Sequence, residues 1–136
     1  VMQYEAQQDP NSSYTIANKE WQKNVLHFNG CEDAVECSVI GGNFDLYKNT
    51  IEDTLFGGVV STDVKDLNST VLNSQDFFEV QQKLLDGVSL ITFFGHASSG
   101  GGFSQNIDSP ENWNNYGKYP LVIGLGCYTG DVHGSD

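Results

Sequence analysis

Two short apolar runs most constrain what this chain can fold into. Val88-Ser-Leu-Ile-Thr-Phe-Phe94 is almost wholly apolar and rich in β-favouring residues, as expected of a central strand covered on both faces, and it runs straight into Gly95-His96. Tyr119-Pro-Leu-Val-Ile-Gly124 reads as another buried strand and delivers Cys127 at its carboxyl end. Both are far shorter than the ~20 apolar residues needed to cross a bilayer, so no membrane span is expected.

The intervening segments alternate in period. Asn24-Val-Leu-His-Phe28, ended by Asn29-Gly30, reads as a buried strand followed by a turn. Phe44, Tyr47, Ile51 and Leu55 then recur at spacings of three and four, the stripe of an amphipathic helix stopped by Gly57-Gly58. Val59 to Val64 reads as a strand. Ser74 precedes a second helix whose inner face is marked by Phe77 or Phe78, Gln81, Leu84 and Leu85, with Asp76 and Glu79 in its first turn and Gly87 at its end. Ser98-Ser-Gly-Gly-Gly102 reads as a flexible loop, and Ser109-Pro110-Glu111 as the start of a short helix to Tyr116. Strands alternating with helices imply parallel pairing, hence an α/β fold with a helix-covered, mainly parallel sheet.

The length, 136 residues, fits one domain or a piece of a larger one. Residues 1–19 are rich in Gln, Asn and Ser and read as a polar linker or edge segment, with Tyr4 and Tyr14 as anchors. The formal charge of −12 argues against nucleic-acid binding, which depends on clustered positive charge, and against an anionic membrane surface. Of three cysteines at most two can pair. Cys31 and Cys37 flank turn-forming and acidic residues, where a loop disulfide and two free thiols are equally compatible with the spacing.

Ligands of open α/β sheets bind at the carboxyl ends of the parallel strands, and here two neighbouring strands end in His96 and Cys127. A thiol is a good nucleophile as thiolate, which a nearby imidazole promotes. The plain alternative is a small buried Cys and a hydrogen-bonded loop His, and spacing alone does not displace it.

The wording of the two runs does. Leu90-Ile-Thr-Phe-Phe-Gly-His-Ala-Ser98, with Lys118-Tyr-Pro-Leu-Val-Ile-Gly-Leu-Gly-Cys-Tyr-Thr-Gly130, resembles the catalytic core of the gingipain-type cysteine peptidases, members of the caspase-like group. Weaker similarity extends back to about Trp21, over roughly the last 116 residues. The resemblance implies a caspase-like three-layer sandwich over residues 20–136, truncated after the nucleophile strand, and cysteine endopeptidase activity on a polypeptide substrate without a cofactor. It also implies a bacterial, secreted or surface parent of several domains. A partial domain is expected to turn over peptides weakly or not at all.

By this resemblance Cys127 is the nucleophile and His96 the general acid/base. The backbone N–H groups of Ala97 and Cys127 are candidates for the oxyanion. Gly95, Asp108 and Gly126 are candidates for lining the substrate path, Asp108 reading equally well as a solvated loop residue. Two positions depart from the family pattern. Ala97 stands where Gly is common, and Asn29 stands where gingipains place a Glu that orients the histidine. Asn29 is therefore the candidate third catalytic residue, beside its reading as a turn residue.

These departures motivate a second reading, a non-catalytic gingipain-like surface or secretion module, with calcium or glycan binding as a variant. A zinc site of Cys127, Asp131, His133 and His96 matches no established spacing, so no metal is expected.

Overall fold

The computed structural model describes residues 17–64, 74–98, 102–103 and 112–127. Residues 1–16, most of the polar segment, lie outside them; its last residues enter a 3-10 helix, Ala17–Lys23, that buries Trp21. Four strands follow in one sheet: β1 (Asn24–Gly30), β2 (Val59–Val64), β3 (Leu90–Gly95) and β6 (Leu121–Leu125), in the order β2-β1-β3-β6. Every pair is parallel. The helices are α1 (Ala34–Ile51) and α2 (Ser74–Asp86).

Strand alternation sends the two faces of β1 to different helices. Leu26 and Phe28 join Ile91 and Phe93 of β3 and Val80 and Leu84 of α2 in one apolar cluster. On the opposite face His27 stacks on Phe44 of α1, with ring centroids 4.6 Å apart and planes 5° from parallel. Cys31, Ile40 and Phe44 form a second, smaller cluster there. Helix, sheet and helix make the three layers of an α/β caspase-like sandwich.

Several boundaries differ from the sequence expectation, each for a tertiary reason. β1 continues through Asn29 and Gly30, which pair with Val64 of β2 and Gly95 of β3, so no turn forms there. Helix α1 begins ten residues before Phe44, because Asp33 caps it: one carboxylate oxygen accepts the N–H groups of Val35 and Glu36 at 2.8 and 2.9 Å. It passes through Gly41-Gly42 and ends at Ile51, leaving Leu55 exposed beyond it. The inner face of α2 is Val80 and Leu84, spaced one turn apart, while Phe78 and Leu85 face outward. Gly87, at φ +100°, ends α2 as expected.

Around the glycine-rich stretch β4 (Ala97–Ser98) and β5 (Gly102–Phe103) pair antiparallel, and Phe103 stacks on Phe93 at 4.0 Å. The described part of the expected short helix, residues 112–116, is irregular. The largest departure is β6. It was expected to be buried, yet Leu121, Val122, Ile123 and Leu125 are all exposed, because β6 is the last strand of the described sheet and no described element covers it.

Cys31 and Cys37 form a disulfide with Cα atoms 5.0 Å apart, which joins the end of β1 to the first turn of α1.

Candidate active site

The site starts from a narrow neck between β1 and β3. Gly30 and Gly95 are partners in the parallel ladder, and the His96 N–H donates to the Gly30 carbonyl at 3.1 Å. A Cβ on Gly95 would collide with the Gly30 backbone, and one on Gly30 would enter the Phe93 ring. Gly95 also holds φ +154°, a conformation that side chains disfavour. His96 is the first side chain past this neck.

Its ring reaches α1. Nε2 lies 3.0 Å from Oε1 and 3.2 Å from Oε2 of Glu36, sixty residues earlier in the chain. Glu36 occupies the first turn of α1, where its Oε2 also accepts the Glu32 N–H at 2.8 Å. The same carboxylate thus ties down the residue before the Asp33 cap and holds an imidazole. A carboxylate at Nε2 makes that nitrogen the N–H donor and leaves Nδ1 as the nitrogen for proton traffic. His96 is about half exposed and so open to solvent-borne ligands.

Cys127 is a free, exposed thiol. The last pair between β3 and β6 is Phe94 with Leu125, so His96 and Cys127 each follow two residues beyond it on adjacent parallel strands. Gly126 sits against this junction: a Cβ there would lie 2.9 Å from the Gly95 carbonyl and 3.1 Å from the Ala97 Cβ. Gly95, Ala97 and Gly126 therefore gather at one spot, at the carboxyl ends of both strands. Asp108, Asp131 and His133 lie outside the described residues.

Asn29 is placed elsewhere. It is fully buried, and its Nδ2 donates to the Cys37 carbonyl at 3.0 Å. The amide of Asn29 is thus taken by the start of α1, and the carboxylate that meets the His96 ring is that of Glu36. The signal for Glu36 lay in Asp33-Ala-Val-Glu36, a cap residue followed three positions later by Glu, at the head of the helix leaving β1.

A second histidine lies below the site. His27 is 1% exposed, its Nδ1 sits 2.5 Å from the Thr92 hydroxyl, and its Nε2 is buried with no hydrogen-bond partner among the described residues. Burial pushes its pKa down, which keeps the ring neutral in the packed state.

No match was found among curated proteins or among solved structures. The family model described as Peptidase family C25, the gingipain family of cysteine peptidases, matches residues 1–136, the whole length given. Together with the parallel sheet and its strand-end histidine and cysteine, this match shows that the chain belongs to peptidase family C25.

Proposed function

We propose that the protein is a cysteine endopeptidase in which Cys127 is the nucleophile, His96 the general acid/base, and Glu36 the group that holds the His96 ring. The shared register of β3 and β6, which brings both strand ends to the same level, carries this reading. The Cys127 thiolate attacks the scissile carbonyl, and His96 protonates the departing amine at the nitrogen turned away from Glu36. Water then attacks the thioester as His96 takes its proton. The backbone N–H groups of Ala97 and Cys127 are the candidate donors to the tetrahedral oxyanion, with Gly95 and Gly126 giving the substrate backbone close approach. Asp108 stays a candidate for the substrate path.

Turnover of short peptides is expected to be slow, because no described element covers the exposed side chains of β6 and positioning supplies much of the barrier reduction. The Cys31–Cys37 disulfide supports a secreted or surface location, since such bonds persist in oxidising compartments.

The same exposed strand favours a second reading, a non-catalytic binding module. Alkylation separates the two. A poised Cys127 reacts with iodoacetamide at pH 6 faster than a model thiol, and the rate falls in His96→Ala. Equal rates would remove the peptidase reading. Turnover of a broad fluorogenic peptide library, abolished in Cys127→Ala, is the direct test.

A further inference from the structure

We propose that the cleft between α2 and residues 112–114 binds a neutral pyranose sugar, whose C–H face rests on Trp113 and Phe78 and whose hydroxyls bond to the amides of Gln81, Gln82, Asn112 and Asn114. The site lies on the α2 side of the sheet, whereas His96 and Glu36 meet on the α1 side, so the inference stands apart from the peptidase reading.

One wall is a single face of α2. Phe78, Gln81, Gln82 and Leu85 are spaced i, i+3, i+4 and i+7, which stacks them on one stripe of the helix. Phe78 is 63% exposed and Leu85 46%, because the turn of the helix gives the core positions to Val80 and Leu84 and leaves this stripe outside. The other wall is Asn112-Trp113-Asn114. Trp113 packs against the apolar cluster beneath α2, which holds its indole in place while part of it stays open to the cleft. Lys118 fixes the two walls together: its Nζ donates to the Asp86 carbonyl at the end of α2 at 2.9 Å, and its backbone N–H donates to the Asn115 carbonyl at 2.8 Å. The binding surface is therefore set before a ligand arrives, and less entropy is lost on binding.

The lining selects by what it carries and by what it lacks. No charged side chain lines the cleft among the described residues, in a chain of 18 acidic and 6 basic residues. An anion finds no cation there, and a cation finds no carboxylate. Against a purely apolar ligand the four amides would be desolvated without partners. Each amide offers two N–H donors and a carbonyl acceptor, so an internal bond does not exhaust it. Gln82 is such a case: its Nε2 donates to Asp86 Oδ1 at 3.0 Å, which orients the amide and leaves its carbonyl to accept from a hydroxyl. The C–H hydrogens on one face of a pyranose suit the negative face of an aromatic ring, and its hydroxyls both donate and accept. The cleft volume, about 180 Å³, is below the roughly 300–1,000 Å³ of pockets that enclose drug-sized ligands, so it takes one ring.

The test titrates the full chain with glucose, galactose, mannose and N-acetylglucosamine, each as the free sugar and as its methyl glycoside, and reads the indole signals of Trp21 and Trp113 by 1H–15N NMR. Trp21, buried and outside the cleft lining, is the internal control. At least one sugar is expected to shift the Trp113 signal saturably, with a dissociation constant in the millimolar range, and to leave Trp21 in place. Phe78→Ala is expected to weaken that sugar about tenfold and Asn114→Ala about fivefold. Both side chains are exposed, so the fold survives their loss, whereas Trp113 is left intact because it packs on the core.

Binding that tolerates the methyl group assigns the cleft to a sugar borne on a chain, and binding abolished by it to the free sugar. Absence of a saturable shift with every sugar overturns the proposal. So does a shift shared equally by Trp21, or an affinity unchanged in both variants.

Discussion

The two faces of the central sheet are built from different materials. Against α2 the sheet presents Leu26, Phe28, Ile91 and Phe93, a hydrocarbon layer completed by Val80 and Leu84. Against α1 it presents His27, Asn29 and Thr92, and the helix is moored by a disulfide, a side-chain amide and an aromatic stack. Hydrophobic burial is strong but non-directional, whereas hydrogen bonds and a covalent crossing fix orientation. The α2 face therefore supplies stability, and the α1 face supplies the alignment that brings Glu36 to His96. A carboxylate that must meet one imidazole is held better by the second kind of contact than by the first.

The comparison breaks most readily on the α2 side. Phe93 is buried under Phe103 and props the Gly30 neck, so Phe93→Ala is expected to cost about 4 kcal/mol in urea unfolding. A loss under 1 kcal/mol would mean that this layer does not carry the fold. Gly95→Ala tests the neck, where the new Cβ meets the Gly30 backbone at φ +154°; about 3 kcal/mol is expected from overpacking and strain.

On the α1 side the effect should appear in rate. Glu36→Gln keeps the shape of the cap but removes the charge beside His96, so kcat should fall about tenfold while stability changes by less than about 1 kcal/mol. Equal losses in both would make Glu36 a structural residue only.

The subtlest prediction concerns pH. Burial lowers the His27 pKa in the folded state, so the unfolded chain binds the extra proton first as pH falls. Stability from this group is fully present above the unfolded value of 6.5 and declines as pH drops below it toward the lowered folded value. Unfolding measured from pH 8 to pH 5 should show that decline, and His27→Leu should flatten it. A decline that survives the substitution would assign it to the acidic groups instead.

Much of this architecture is legible along the chain, because strand and helix periods are local properties. The apolar runs ending at Gly95-His96 and before Cys127, the strand Val59–Val64 and the stop at Gly87 all follow from composition and spacing. Where the reading slipped, a neighbour distant in sequence decided. The Gly-rich stretch after His96 reads as loop until Phe103 finds the Phe93 ring, and the helical stripe reads as starting at Phe44 until the Asp33 cap starts the helix upstream.

The amino-acid order by itself determined the alternation of strands and helices and the placing of an imidazole and a thiol at strand ends, since each depends on residues within a few positions. Only the tertiary structure decided that Glu36, rather than Asn29, meets His96, that Cys31 pairs with Cys37, and that the apolar side chains of β6 are exposed. Those outcomes depend on which side chains the sheet order and the helix packing bring within bonding distance, and the Glu36 and His96 pair spans sixty residues of chain. Local periodicity carries no information at that separation.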